Sequence, residues 1–194
     1  MSLTLPHGPT FYERTDVGLP LTVHNLDGIT KRPVLANRLK LILCHYTGVP
    51  VNTRRYANVD TQTEIAQVVQ SINRWRRNEY NYVLTQSGDI VEFAGRFQGA
   101  HCGSWPIGRQ WNPVSYGCLF LNASDALDAN KKPIPGTGEP ITWAQIQSFG
   151  WLKNVLRWTQ QVAQDVAVEP HSFAKPTGCP GPSVNAAMDG LRSL

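Results

Sequence analysis

Charged side chains are scarce in this sequence, at 16% of residues against about 25% in an average soluble protein, which excludes a disordered chain or a coiled coil. Cysteine is scarce too. Cys44, Cys102, Cys118 and Cys179 show no C-x-x-C spacing and are too few in 194 residues for a disulfide framework, so each thiol takes its role from its neighbours. No apolar run approaches the roughly 18 residues of a membrane span, and no membrane contact is expected. Met1 to Pro9 lacks the basic start and apolar stretch of a secretory signal. There is no internal repeat. The basic residues form no stripe interleaved with aromatics: Arg54, Arg55, Arg74, Arg76 and Arg77 are the one visible cluster and read as a solvated helix face. A nucleic-acid partner is therefore not expected.

What the sequence does have is enough apolar material for one packed interior, with 41% hydrophobic and 9% aromatic residues in a length that suits a single domain. Sixteen glycines and 14 prolines exceed average usage of about 12% for the two together, which implies many turns and long loops, the places where function tends to sit. A net charge of +4 favours an anionic partner without naming one.

Residues 1–38 are rich in Pro and Gly and read as irregular chain with at most short strands, wrapped over the main body. Leu39 to Cys44 is a short apolar run that reads as a buried strand, with His45 at its C-terminal end. Thr61 to Arg77 carries apolar residues at three- and four-residue steps, opened by a possible capping box of Thr61 and Glu64. Tyr80 to Leu84 and Ile90 to Phe93 flank a polar turn and predict two antiparallel strands. A further strand is expected over Tyr116 to Asn122, and a loop over Asp125 to Pro140. Thr142 to Val168 has the spacing of the longest helix, with Gly150 as its weak point and Pro170 as its stop. Val184 to Leu194 predicts a short closing helix. Strands interleaved with helices, plus a hairpin, define an α/β class with a mixed sheet.

The chemistry concentrates in His171 to Gly181. His171 and Cys179 lie eight positions apart in a proline-stiffened loop, which needs no helical register to bring both toward one metal ion. Imidazole nitrogen with thiolate sulfur suits zinc. His45 is the natural third ligand, because a strand end is held rigidly where loops meet. Three protein ligands leave a fourth position open, as in catalytic rather than structural sites. From spacing alone the bland reading stays open, in which each is a packed or hydrogen-bonded residue.

Cys44-His45-Tyr46-Thr47-Gly48, Tyr80-Asn81-Tyr82-Val83 running to Gly95-Arg96, Gly99-Ala100-His101, Tyr116-Gly117 and His171 through Cys179-Pro180-Gly181 occur in that order. Together they resemble the zinc-dependent N-acetylmuramoyl-L-alanine amidases, the type shared by bacteriophage lysozyme-like amidases and catalytic peptidoglycan recognition proteins. The resemblance spans about residues 38–192. It implies a central mixed β-sheet flanked by helices with a substrate groove over the metal, an N-terminal arm at 1–37 and a catalytic domain at 38–194. It implies zinc on His45, His171 and Cys179. Tyr80 takes the place of the Tyr that orients or deprotonates the attacking water; Tyr82, two residues on, is the rival and a candidate for substrate contact. Thr177 takes the oxyanion-steadying place, with Lys175 as the alternative donor. His101 matches a groove His that contacts substrate, and Trp105 and Trp111 are candidates for stacking on sugar faces. Leu119 stands where cytosolic relatives carry a Glu, which favours a Tyr-dependent mechanism, with Glu79 and Glu92 as remaining carboxylates near the hairpin. Cys44 and Cys118 are expected to pack as small apolar residues, and Cys102 to be an inert thiol rather than a fourth ligand.

The expected activity is hydrolysis of the amide between N-acetylmuramic acid and the L-alanine of the stem peptide. The expected partner is peptidoglycan and the expected state a monomer. The biology that fits is an endolysin made in the host cytoplasm without a signal peptide and released to the wall when the membrane is opened. Two other readings are a non-catalytic peptidoglycan-binding module and a zinc-stabilised nucleic-acid binder.

Overall fold

The computed structural model of the protein describes residues 3–4, 8–17, 39–46, 80–103, 107–121, 128–130, 132, 134 and 140–194. The helix expected over 61–77, Glu79 and Trp105 lie outside them. Among the described residues, seven strands form one sheet: β1 (Leu3–Thr4), β2 (Thr10–Tyr12), β3 (Leu41–Tyr46), β4 (Tyr82–Leu84), β5 (Ile90–Glu92), β6 (Ser115–Phe120) and β7 (Ala167–Pro170). Their order across the sheet is β1-β2-β5-β4-β6-β3-β7. The β1–β2 and β4–β5 pairs are antiparallel and the other four are parallel, so the sheet is mixed as the sequence predicts. The helices among the described residues are α1 (Ile107–Trp111), α2 (Trp143–Trp158), α3 (His171–Ala174) and α4 (Gly181–Ser193).

All six residues of β3 are buried, as expected of a central parallel strand covered on both faces. Alternation then divides the strand. Ile42, Cys44 and Tyr46 enter the main core with Tyr82, Leu84, Tyr116, Cys118 and Phe120, under Phe149, Leu152 and Leu156 of α2 and Val184, Met188 and Leu191 of α4. Leu41 and Leu43 face the other way, toward Cys102, Ile107, Trp111 and Ala174. Val83, Val91, Phe93, Leu119 and Leu121 form a second cluster off the main core.

Helix α2 opens on a full capping box. Thr142 Oγ1 accepts from the Gln145 amide and Gln145 Oε1 accepts from the Thr142 amide. The buried Gln145 amide also donates to the carbonyls of Leu84 and Leu121, at 3.0 and 2.9 Å, tying the helix start to the ends of β4 and β6. Gly88 in the β4–β5 turn has φ +93, and a Cβ there would come within 2.9 Å of Ala144 Cβ, so the turn needs a glycine both for its backbone and for contact with α2.

Two expectations about the elements change. The helix expected to run through Val168 ends at Trp158, with Thr159 as cap and Gln160 in the left-handed region at φ 57. The chain turns back, Val162 and Val166 are buried, and Ala167–Pro170 joins the sheet beside β3. Pro170 thus ends an edge strand, where its missing N–H costs no ladder bond. Within α2, Gly150 does not interrupt the helix; it lies against Leu194. The second change concerns Tyr82, the rival of Tyr80, whose spacing of two residues would put both on one face of a continuous strand. The chain bends at Asn81, just before β4 begins at Tyr82, so strand alternation does not extend back to Tyr80.

Gln145 satisfies a helix end and two strand-end carbonyls at once. Gln145→Met is expected to destabilise the fold by about 2 kcal/mol or more, read as a lower urea midpoint with an unchanged m-value. A midpoint within error of the parent contradicts this account.

Candidate metal centre

β3 and β7 are parallel neighbours, with Leu43 opposite Glu169 and Cys44 opposite Pro170. One step further, the same edge delivers His45 from β3 and His171 from the first turn of α3, with ring centroids 4.3 Å apart. Cys179 precedes α4 and returns to this edge, its Sγ 3.6 Å from His45 Nδ1. The site therefore forms beyond the carboxyl ends of parallel strands, the usual place for sites in α/β sheets. Potential ligand atoms of His45, His171 and Cys179 all lie within 4.8 Å of one another.

Burial makes all three groups neutral at pH 7. It holds the His45 imidazolium form well below the usual range, with His171 and His101 adding to the effect. It pushes His171 down to about 4, helped by the charge of Lys175. It pushes the Cys179 thiol up to about 12, with the Tyr46 backbone and Lys175 acting in the opposite direction. Both ring nitrogens of His171 are buried with no hydrogen-bond partner. Buried polar atoms are normally satisfied, so two orphans on one imidazole call for an unnamed partner. A metal ion fits the residues present. The donors are two neutral imidazoles and a thiol, and tetrahedral zinc places its N and S ligands roughly 3.5 Å apart, given bonds of about 2.0 and 2.3 Å. That is close to the 3.6 Å between Cys179 Sγ and His45 Nδ1.

The other residues singled out from the sequence fall in several places. The Tyr80 ring meets His45 edge-on at a centroid distance of 5.1 Å, beside the cluster. Tyr82 does not approach it. The ring is 3% exposed on the opposite face of the sheet, packed on Phe11 and Tyr116, which corrects its assignment as a substrate contact. Glu92 pairs with Tyr82 across β4–β5 and so shares that remote face. Leu119 lies opposite His45 in the β3–β6 register and is buried. Thr177 is half-buried and its Oγ1 accepts from the Cys179 amide at 3.3 Å. Lys175 is half-buried, and its charge lowers the pKa of His171, Cys102 and Cys179. His101, expected in an open groove, is only 6% exposed and sits behind His45, its Nδ1 3.3 Å from His45 Nε2. Trp111 packs edge-on against Phe173 at 5.6 Å, and Phe173 is exposed. All four cysteines are free thiols, and Cys44 and Cys118 are fully buried.

Sequence reasoning passed over Asn81 and Ser115. Asn81 donates to the carbonyls of Gly95 and Phe97 and accepts from the Gly117 amide, clamping the segment that leads to His101. Ser115 faces the far nitrogen of His101. Asn81 stands inside a motif noted in the sequence and Ser115 in none, and neither role is legible there, since each acts through pairing between segments remote in the chain.

The fold and the two-His, one-Cys cluster at its strand ends define the class first: a mixed-sheet α/β domain with a preformed metal-type site. Residues 35–182 match the family Amidase_2, N-acetylmuramoyl-L-alanine amidase, and the chain belongs to that family. No match was found among curated proteins. Among solved structures, the chain is similar to Drosophila peptidoglycan recognition protein PGRP-SA, at TM-score 0.65 and 16% identity, covering 95% of this chain and 93% of that one. It is similar to peptidoglycan recognition protein LE in complex with tracheal cytotoxin, a monomeric diaminopimelic acid-type peptidoglycan, at TM-score 0.62 and 17% identity, covering 95% and 93%. It is also similar to the N-acetylmuramoyl-L-alanine amidase LysC from Clostridium intestinale, at TM-score 0.54 and 15% identity, covering 95% and 96%. These likenesses show the fold.

The depressed histidines make the metal-free protein acid-labile. The unfolded chain takes up a proton on His171 near its ordinary 6.5, the folded chain only near 4. Stability from this group is therefore complete above about pH 6.5 and falls through the window down to 4, by roughly 3 kcal/mol for His171 alone. His45 acts in the same direction. Thermal unfolding of chelator-treated protein should show the midpoint dropping from pH 7 to 4, with a shallower drop in His171→Asn. Parallel curves for the two proteins contradict the assignment.

Proposed function

We propose that the protein is a zinc-dependent N-acetylmuramoyl-L-alanine amidase acting on peptidoglycan. The observation that carries this reading is the buried, neutral cluster of His45, His171 and Cys179 with both His171 ring nitrogens unpartnered, in a chain of this family. His45, His171 and Cys179 would hold a zinc ion, which would supply an activated water and a Lewis acid for the scissile carbonyl between N-acetylmuramic acid and L-alanine.

The chain's own residues do the rest. Tyr80, packed against the edge of His45, is placed to orient the attacking water and receive its hydrogen bond. Lys175, whose charge reaches His171 and Cys179, supplies positive potential where the carbonyl oxygen becomes negative. Thr177 holds the Cys179 amide and so steadies the ligand loop, leaving the oxyanion to Lys175. Leu119 beside His45 offers no carboxylate, which leaves the Tyr80 hydroxyl as a relay that takes the water's proton while passing its own on to the departing L-alanine nitrogen. The exposed Phe173 ring on Trp111 offers an apolar wall for a saccharide face, and Trp105 is assigned the same role from its position in the sequence.

Peptidoglycan recognition protein LE, bound to a peptidoglycan fragment, shows that the fold can also serve binding. The retained Cys179 favours catalysis here. The role proposed is lysis of a host wall as a bacteriophage endolysin acting as a monomer. Support comes from four free thiols, which suit synthesis in a reducing cytoplasm, and from a net charge of +4, which suits an anionic wall.

Purified protein given zinc should release free L-alanine amino termini from sacculi with no rise in reducing sugar ends. Cys179→Ser is expected to lose cleavage at least a thousandfold while still binding sacculi. Reducing ends without new amino termini, or Cys179→Ser lysing as the parent does, defeats the assignment. Tyr80→Phe should lower kcat by about 100-fold or more with zinc content unchanged; full activity in this variant removes Tyr80 from the mechanism.

A further inference from the structure

His45 has two ring nitrogens with different neighbours. Nδ1 faces Cys179 Sγ at 3.6 Å, and Nε2 faces His101 Nδ1 at 3.3 Å. His101 in turn presents Nε2 to the carbonyl oxygen and the Oγ of Ser115, both at 3.3 Å. The hydroxyl hydrogen of Ser115 is already committed, because Oγ donates to the Trp111 carbonyl at 2.7 Å. Both oxygens before His101 Nε2 are therefore acceptors. A proton on Nε2 satisfies them and leaves a lone pair on Nδ1. That lone pair receives the His45 Nε2–H, with the weak Cys102 thiol donor at 3.4 Å as a second neighbour. His45 is then left with its own lone pair on Nδ1, toward Cys179 and His171. A backbone carbonyl that can only accept thus sets two histidine tautomers in series.

The seat of His101 is built for this. Cβ at position 117 would lie 2.5 Å from His101 Cγ, so only glycine on β6 leaves room for the ring. The segment is pinned on both sides: Asn81 holds the Gly95 and Phe97 carbonyls, and Asn112 accepts from the Cys102 amide and donates to the Gly103 carbonyl. Such anchoring fixes a ring orientation, whereas a substrate-contacting side chain needs exposure, and His101 has only 6%.

We propose that His101 is a positioning residue, which with Ser115 fixes the tautomer and ring orientation of His45 so that Nδ1 is the metal-binding atom. This rests on the reading of His45, His171 and Cys179 as a zinc site and deepens it. Outer partners of metal-bound histidines raise ligand basicity, and their loss typically costs 10- to 100-fold in metal affinity.

The test has two arms. Zinc affinity, measured by chelator competition, should fall about 10- to 100-fold in His101→Leu and recover most of that loss in His101→Asn, whose side-chain oxygen can stand near the lost Nδ1. Independently of any variant, long-range proton–nitrogen spectra of the zinc-loaded wild-type protein should show His45 protonated on Nε2 and bound through Nδ1. Zinc bound by the wild-type protein with His45 protonated on Nδ1 overturns the proposal and leaves the metal site standing. So does unchanged zinc affinity in a folded His101→Leu variant, especially with a raised KM, which would return His101 to substrate contact. Wild-type protein that takes up no zinc overturns this proposal and the metal reading together.

Discussion

The register in which β3 lies between β6 and β7 is the constraint on which the site depends. Leu41 to Tyr46 pair with Ser115 to Phe120 on one side and Leu41 to Cys44 with Ala167 to Pro170 on the other. Because side chains alternate, this register puts Ile42, Cys44 and Tyr46 into the helix-covered core and His45 on the opposite face. A slip of one residue would send the imidazole into a hydrocarbon interior and bring Cys44 out in its place. Burial on both faces of β3 is what forbids the slip. The same pairing brings the end of β7 alongside, so that His171 leaves the sheet next to His45. Two of the three candidate ligand positions depend on this sheet geometry, and the third, Cys179, depends on α4 packing on β7 and β3 to bring its preceding loop home.

The cluster is costly to the fold in the absence of an ion. Three polar groups are withdrawn from water, and on one of them, His171, neither nitrogen finds a partner. Lys175 makes matters worse, since its positive charge opposes any protonation of His171. Only a cation that accepts lone pairs relieves all of these at once, because imidazoles kept neutral by burial are already in the form a metal requires. The thiol is different. Burial holds it protonated, so the ion must displace its proton, and the positive charge of the ion supplies the drive to do so. Stability sacrificed at this edge is made good elsewhere by the apolar core beneath α2 and α4.

Much of this was legible in the sequence, and the limits are instructive. The apolar run ending in His45 showed a buried strand, and the turn before Ile90 showed a hairpin, because both are local patterns. The motif from His171 to Cys179 showed a convergent pair, since a proline-rich loop after an element is free to fold back. Where reading failed, the deciding interaction was not local. Ala167 to Pro170 looked like the end of a helix until β3 claimed it as a strand, a case of tertiary pairing overriding helical spacing. Tyr82 looked equivalent to Tyr80 because a period of two was extended two residues back beyond the start of the strand. His101 looked like a groove residue because nothing in its neighbourhood names Ser115 or Gly117, which meet it only after β6 is laid beside β3.

Among the described residues, the place beside His45 on β6 is apolar, and this shapes the electrostatics of the edge. Leu119 occupies the neighbouring place on β6 and belongs to an apolar cluster with Val83, Val91, Phe93 and Leu121. A divalent ion bound here would meet one negative charge, from Cys179, and two neutral rings, and the centre would keep a net positive charge. Lys175 adds to it. In the arrangement proposed above, His101 on the far side of His45 raises ligand strength without adding charge. In the proposed reaction that positive potential would stabilise the oxyanion. In the proposed mechanism the Tyr80 hydroxyl against the edge of His45 takes a proton from the water only as it gives its own to the leaving nitrogen, a relay that adds no negative charge to the field.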